Sequence, residues 1–155
     1  IEAGELVADL HVCYSPNLVG VEVPEDRSAR MIDEYPILSV AASFADSPSI
    51  FRGLSELRVK ESDRIFSMAT GLRECGVDVS FGDDYMTVEG VRRVKGGQLI
   101  NTFNDHRIAM SFICLGQVTQ KTIQISESIS IGTSFPGFIE KFKEIGANLS
   151  SQKSQ

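Results

Sequence analysis

Apolar and polar residues alternate over Val7 to Tyr14 (VADLHVCY) and over Leu18 to Val23 (LVGVEV), the period-two pattern of half-buried strands. Ser15-Pro16-Asn17 reads as the turn between them, and Pro24 to Ser28 as a loop. Ile37 to Ala45 is a mostly apolar helix, with Pro36 suited to its first turn. Ile50 to Leu54 is a short strand. Ile65, Met68, Ala69 and Leu72 then recur at helical spacing, and Gly76 stops that helix. Val77 to Phe81, Met86 to Gly90 and Gln98 to Phe103 read as strands, turned by Asp83-Asp84 and Gly96-Gly97. Ile108 to Val118 is a buried helix and Thr122 to Ser126 a strand. Phe135, Phe138, Ile139, Phe142 and Ile145 mark a last amphipathic helix ended by Gly146, with Phe135 and Phe138 in the core.

A repeat emerges. From Asp33 the order is helix, strand, helix, Gly76-Val77, strand; from Asp105 it is helix, strand, helix, Gly146-Ala147, strand. The matching order and nearly equal lengths favour a duplicated unit. Copies related by rotation would bring their helix starts to one end of the domain.

The chain is the size of one ordinary domain and 42% hydrophobic, enough apolar material for a core. A net charge of −6 argues against a nucleic-acid binder or an anionic-membrane binder. Cys13, Cys75 and Cys114 are odd in number and dispersed, which fits reduced thiols in a cytoplasmic protein. With only His11 and His106, a zinc site is not expected. No apolar stretch approaches a membrane span, and the start does not read as a signal peptide. Ile1 in place of methionine points to processing or truncation, and residues 150–155 read as a frayed polar tail.

The unusual charges collect at helix starts. Arg58-Val59-Lys60-Glu61-Ser62-Asp63-Arg64 opens the second helix and Asn104-Asp105-His106-Arg107 the third, with Asp33 just before the first and Thr133-Ser134 before the last. A helix N-terminus attracts anions, but by only about 0.3–1 kcal/mol per charge near the surface. A phosphate ester also needs arginine, whose planar fork grips it with paired bonds; Arg64 and Arg107 are placed to supply it. Lys60 and Arg64, four apart, should share a helix face. Asp63 and Asp105 are as well explained as helix caps, and His106 alone more often serves structure than catalysis. Arginine in a first turn is different, because the helix dipole disfavours it there without a nearby anion.

These residues resemble one family. Ile32 to Pro36 (IDEYP), Arg58 to Arg64 (RVKESDR), Asn104 to Met110 (NDHRIAM) and Thr133 to Pro136 (TSFP) are similar in order and spacing to 5-enolpyruvylshikimate-3-phosphate synthases, over about Ala29 to Leu149. The resemblance implies an α/β fold, part of an inside-out α/β barrel of repeated βαβαββ units. About two of three units would be present, with residues 1–149 a partial carboxy-terminal domain. It implies a reaction that moves the enolpyruvyl group of phosphoenolpyruvate to the 5-hydroxyl of shikimate 3-phosphate and releases phosphate, in aromatic amino-acid biosynthesis. No metal or organic cofactor is implied, and the parent would be a cytoplasmic monomer whose amino-terminal domain lies outside these residues.

Carried over by position, Asp33 would take the proton from the 5-hydroxyl and Glu61 would protonate the methylene carbon of phosphoenolpyruvate. Asp33 and Lys60 would contact the shikimate substrate, and Arg64 and Arg107 would hold phosphoenolpyruvate. His106 and Thr133 are secondary candidates for substrate contact. Many relatives carry lysine where Thr133 stands, and the threonine resembles a glyphosate-tolerant subgroup.

Two other readings compete. The transferase that acts on UDP-N-acetylglucosamine shares fold and donor, but would lack RVKESDR and carry a catalytic cysteine in a mobile loop. A catalytically silent binding or structural domain is the other, and the isolated chain is expected to show no turnover. An uncovered barrel edge would also invite pairing with a second copy.

Overall fold

A computed structural model describes residue 4 and residues 7–151. Strand β1 (Glu22–Val23) is followed by a 3-10 turn (Glu25–Arg30) and helix α1 (Tyr35–Ala42). Strand β2 (Ser49–Arg52), a second 3-10 turn (Ser55–Val59) and helix α2 (Arg64–Glu74) come next, then the hairpin β3 (Val79–Phe81) and β4 (Tyr85–Val88). That order is one βαβαββ unit. A second begins with β5 (Leu99–Ile100), α3 (His106–Gly116) and β6 (Gln124–Ile125), and continues through α4 (Ile129–Ser134) and α5 (Phe138–Glu144).

The units also agree in pairing. β1 runs parallel to β2, with Glu22 opposite Ile50, and β5 parallel to β6, with Leu99 opposite Gln124. A parallel pair needs a crossover, and α1 and α3 supply them. β4 lies antiparallel between β2 and β3, giving the order β1-β2-β4-β3. Because β1 and β2 point the same way, the loops leaving them emerge at one end of the sheet. One loop leads to Asp33 and the other to Glu61, so sheet direction alone brings these two carboxylates toward one rim.

Helix α3 is the pivot. Ile108, Ala109, Ser111, Phe112, Ile113 and Leu115 are buried on almost every side, between α1, α2 and α4. A helix apolar all round must be enclosed, and each large side chain it buries contributes roughly 1.5–3 kcal/mol. Gly71 of α2 lets this helix pack closely: a Cβ there would lie 2.3 Å from Phe112 Cζ. Tyr35 and Phe51, both fully buried, meet edge to face at 5.6 Å and join α1 to the sheet.

Several expectations need correction. Val7 to Tyr14 forms no strand: Leu10, Val12 and Tyr14 are 88–91% exposed, so their alternating face finds nothing to pack on among the described residues. Of Leu18 to Val23 only Glu22–Val23 pairs, and the expected loop at Pro24 to Ser28 is largely 3-10 turn. The expected last helix begins only at Phe138, and a short helix that was not expected, α4, precedes it. Pro36 is accepted in the first turn of α1, whereas Pro136 pushes Phe135 to φ −134°, ψ 81°, and Gly137 then turns left-handed at φ 79°. As a result Phe138 is buried but Phe135 is 42% exposed. No strand follows Gly146 among the described residues, although Leu149 packs against the α3–α4–α5 cluster and Asn148 N–H donates to Gln117. Residues 152–155 of the expected tail lie outside the described residues.

Candidate active site

The loops before α1, α2 and α3 meet around one guanidinium. Arg64, the first residue of α2, is 1% exposed and donates to three carboxylates. Its Nε lies 2.8 Å from Asp105 Oδ2, its Nη1 2.9 Å from Asp33 Oδ1, and its Nη2 2.5 Å from Glu61 Oε2. Arg107, in the first turn of α3, closes the group: Nη2 lies 3.2 Å from Asp33 Oδ2 and Nη1 donates to the Asp33 carbonyl at 3.2 Å. Asp33, Glu61, Arg64 and Arg107 therefore share one rim. The helix dipole disfavours a cation where Arg64 sits, and protein carboxylates supply the anions that hold it there.

Burial separates the members. Asp105 is fully buried, while the side chains of Asp33, Glu61 and Arg107 remain 41, 50 and 34% exposed. Burial works to raise the Asp105 carboxyl, but the Arg64 hydrogen bond and charge, the Arg107 N–H and Ser62 together hold it below its ordinary value. For Arg64, burial works to lower the guanidinium, and Asp105, Glu61 and Asp33 outweigh it and raise it. A buried ion pair offsets its desolvation cost only when the remaining polar atoms are satisfied. Here they are, since Asp105 also accepts from Ser62 Oγ at 3.0 Å and from the backbone N–H groups of Arg107 and Ile108.

Asp63 and Asp105 are parallel devices. Asp63 caps α2 by accepting from Phe66 N at 3.0 Å and pairs with Arg58 at 2.6 Å. Arg58 also donates to the Gly82 and Asp83 carbonyls, tying the β3–β4 turn to the start of α2. Both aspartates are thus caps, yet Asp105 additionally sits at the centre of the charged cluster. The sequence left its role open between a cap and the site; the signal available was an arginine in the first turn of α2 that lacked an anion. Ser62 was missed altogether.

Lys60 does not share a helix face with Arg64. It sits in extended backbone before α2 begins and pairs with Glu56 at 2.5 Å. His106 opens α3, half-buried. Thr133 stands before the last helix, as expected, but within the last turn of the short helix α4; its exposed hydroxyl donates to the Ser130 carbonyl at 2.7 Å. No hydrogen bond or ion pair among the described residues joins Thr133 to the Arg64 cluster.

Chemically, the rim offers two half-exposed carboxylates beside one partly exposed guanidinium, with a second guanidinium behind them. Arg107 Nε is buried without a hydrogen-bond partner among the described residues. The arrangement can remove one proton, deliver another and attract an anion. Two shallow hollows lie elsewhere, one of about 190 Å³ beside Phe66 and Phe103 and one of about 280 Å³ at α4 and α5; neither is lined by the charged four. Among the described residues no helix is long and apolar enough to cross a membrane, and no His, Cys, Asp and Glu cluster could hold a metal ion.

Residues 9–142 match the family model described as EPSP synthase (3-phosphoshikimate 1-carboxyvinyltransferase). The 3-phosphoshikimate 1-carboxyvinyltransferase of Roseobacter denitrificans is 51% identical over 151 residues, which cover 96% of this chain and 34% of the relative. That of Ruegeria sp. is 51% identical over 150 residues, covering 96% and 33%. The solved EPSP synthase of Acinetobacter baumannii superposes with a TM-score of 0.82 at 40% identity, over 88% of this chain and 32% of that one. The chain spans about a third of the length of these relatives.

Proposed function

This chain belongs to the EPSP synthase family, and from that premise we propose that it carries the proton-transfer half of an active site that moves an enolpyruvyl group from phosphoenolpyruvate to the 5-hydroxyl of shikimate 3-phosphate. The observation that carries the reading is the meeting of Asp33 and Glu61 on Arg64, at 2.9 and 2.5 Å, with both carboxylates half-exposed.

Addition across the donor's double bond requires one proton removed and one delivered. Asp33 takes the acceptor's hydroxyl proton as that oxygen attacks C2 of phosphoenolpyruvate, and Glu61 gives its proton to C3, making a methyl group. The adduct then loses one methyl proton and breaks its C–O bond to phosphate, giving the enol ether and free phosphate. Each positioned acid or base typically contributes about 10²–10⁴-fold.

Arg107 is the more accessible anion contact, because Arg64 is enclosed by carboxylates and reaches a ligand only as Asp33 or Glu61 turns away. Lys60 serves the acceptor once it leaves Glu56, and His106 and Thr133 are outer contacts. A cytoplasmic location fits the three free thiols.

The test mixes the full-length gene product that contains these residues with phosphoenolpyruvate and either shikimate 3-phosphate or UDP-N-acetylglucosamine, and follows phosphate release. Release with the first acceptor alone is expected; release only with the second would replace this reading. The isolated 155 residues should release none with either.

A further inference from the structure

We propose that Asp105 is a positioning residue for the transfer reaction: it fixes the plane of Arg64 so that the guanidinium's two outer nitrogens aim at Asp33 and Glu61. This rests on the functional reading above. The two oxygens of Asp105 divide their duties. Oδ1 caps α3, accepting from Arg107 N at 2.9 Å and Ile108 N at 3.4 Å, with a long contact to Arg64 Nη2 at 3.4 Å. Oδ2 faces the other way, accepting from Arg64 Nε at 2.8 Å and Ser62 Oγ at 3.0 Å.

A helix cap needs only the first set of bonds. The second does something a cap does not. It anchors Nε on the one partner of Arg64 that is fully buried, and leaves Nη1 for Asp33 and Nη2 for Glu61. It also ties the start of α2 to the start of α3, and so sets Arg64 against Arg107, whose own backbone N–H sits on Oδ1. The loop leading in is held in an unusual shape: Phe103 and Asn104 are successive left-handed residues, at φ 51° and 54°. Non-glycine residues keep such a conformation when surrounding bonds over-determine it, as the buried bonds of Asp105 do here.

Asp105→Asn separates the two duties. Asparagine caps a helix about as well as aspartate through its carbonyl oxygen. Its NH₂, however, would face Arg64 Nε–H, placing donor against donor, and the Ser62 hydroxyl would have to reverse from donor to acceptor. The full-length gene product should therefore fold with the same circular dichroism, yet lose about 30-fold or more in kcat while KM for the acceptor stays within about threefold. Ser62→Ala, which removes one bond to Oδ2 and keeps the charge pair, should lower kcat per folded molecule about three- to tenfold at unchanged KM.

A structural cap would move Tm and leave kcat per folded molecule where it was. Folded Asp105→Asn with near-native kcat overturns the proposal. If that variant does not fold, native kcat in Ser62→Ala overturns it as well. A native enzyme without turnover on shikimate 3-phosphate fails differently: it overturns the transferase reading itself, and the positioning role with it.

Discussion

Arg64 Nε and Asp105 Oδ2 lie 2.8 Å apart, with both residues excluded from solvent, at the point where the starts of two helices meet. Both charges were taken out of water to be there, so the pair makes stability depend on pH. Burial opposes the charged Asp105 carboxyl, but Arg64 prevails and holds the folded value below the ordinary one. The unfolded chain therefore binds the extra proton first as pH falls. The contribution is complete above about pH 4 and is lost as pH drops from there through the lowered folded value. Urea midpoints measured from pH 6 to pH 3 should decline at the acid end, and Asp105→Asn should flatten that decline. An unchanged acid arm in the variant would assign it to other carboxylates.

Removing the cation is expected to be worse than removing either outer anion. Arg64→Met strands Asp105 as an unpaired buried charge and should cost about 3–5 kcal/mol. Asp33→Asn and Glu61→Gln alter half-exposed partners, and solvent screening keeps such losses to roughly 1 kcal/mol or less. Denaturant unfolding of the three variants checks the order. Equal losses would mean that Arg64 is not the hub of the cluster.

Gly71→Ala sets two effects against each other. Within a helix, alanine in place of glycine ordinarily gains about 0.5–1 kcal/mol. The new methyl would lie 2.3 Å from the Phe112 ring in a filled core, and overpacking typically costs about 1–3 kcal/mol. Net destabilisation is expected, relieved when Phe112→Leu is added. Thermal unfolding of the single and double variants measures the coupling, and a stabilising Gly71→Ala would show that the helices separate freely.

The three thiols should differ in reactivity. Cys13 is exposed, whereas burial and then the Glu74 charge push Cys75 up to about 11, and burial raises Cys114. Since the thiolate is the reactive form, a disulfide reagent near pH 8 should titrate one thiol quickly in the native chain and three in denaturant. Rapid reaction at Cys75 would show that the α2 terminus opens.

Much of the fold was legible because the signals were local. Gly76 ends α2, the helical spacing of Ile65, Met68 and Leu72 predicts its buried face, and Asp33 and Asp105 mark equivalent places in two units. Failures came where a partner decides. Leu10, Val12 and Tyr14 alternate as a strand should, but a strand exists only against another strand. Pro136 kept Phe135 out of the helix that begins at Phe138, because position within a helix, not composition, sets what proline does. The meeting of Asp33, Glu61, Arg64 and Arg107 followed from the repeat. That Asp105 holds Arg64 did not, because residues forty apart announce no contact. Lys60 misled for a related reason: spacing by four implies a shared face only once the helix has begun.

The decisive measurement is the fate of solvent hydrogen. On the proposed reading, with the full-length gene product in D₂O, Glu61 should deliver deuterium to C3 of phosphoenolpyruvate, and the transient methyl group should return one hydrogen to solvent. Mass spectrometry should find deuterium in the product's methylene group with the native protein, and Glu61→Gln should slow its formation by about 10² or more. Unlabelled product, or native rates of labelling in Glu61→Gln, would show that the carboxylate gathered onto Arg64 is not the acid of the reaction.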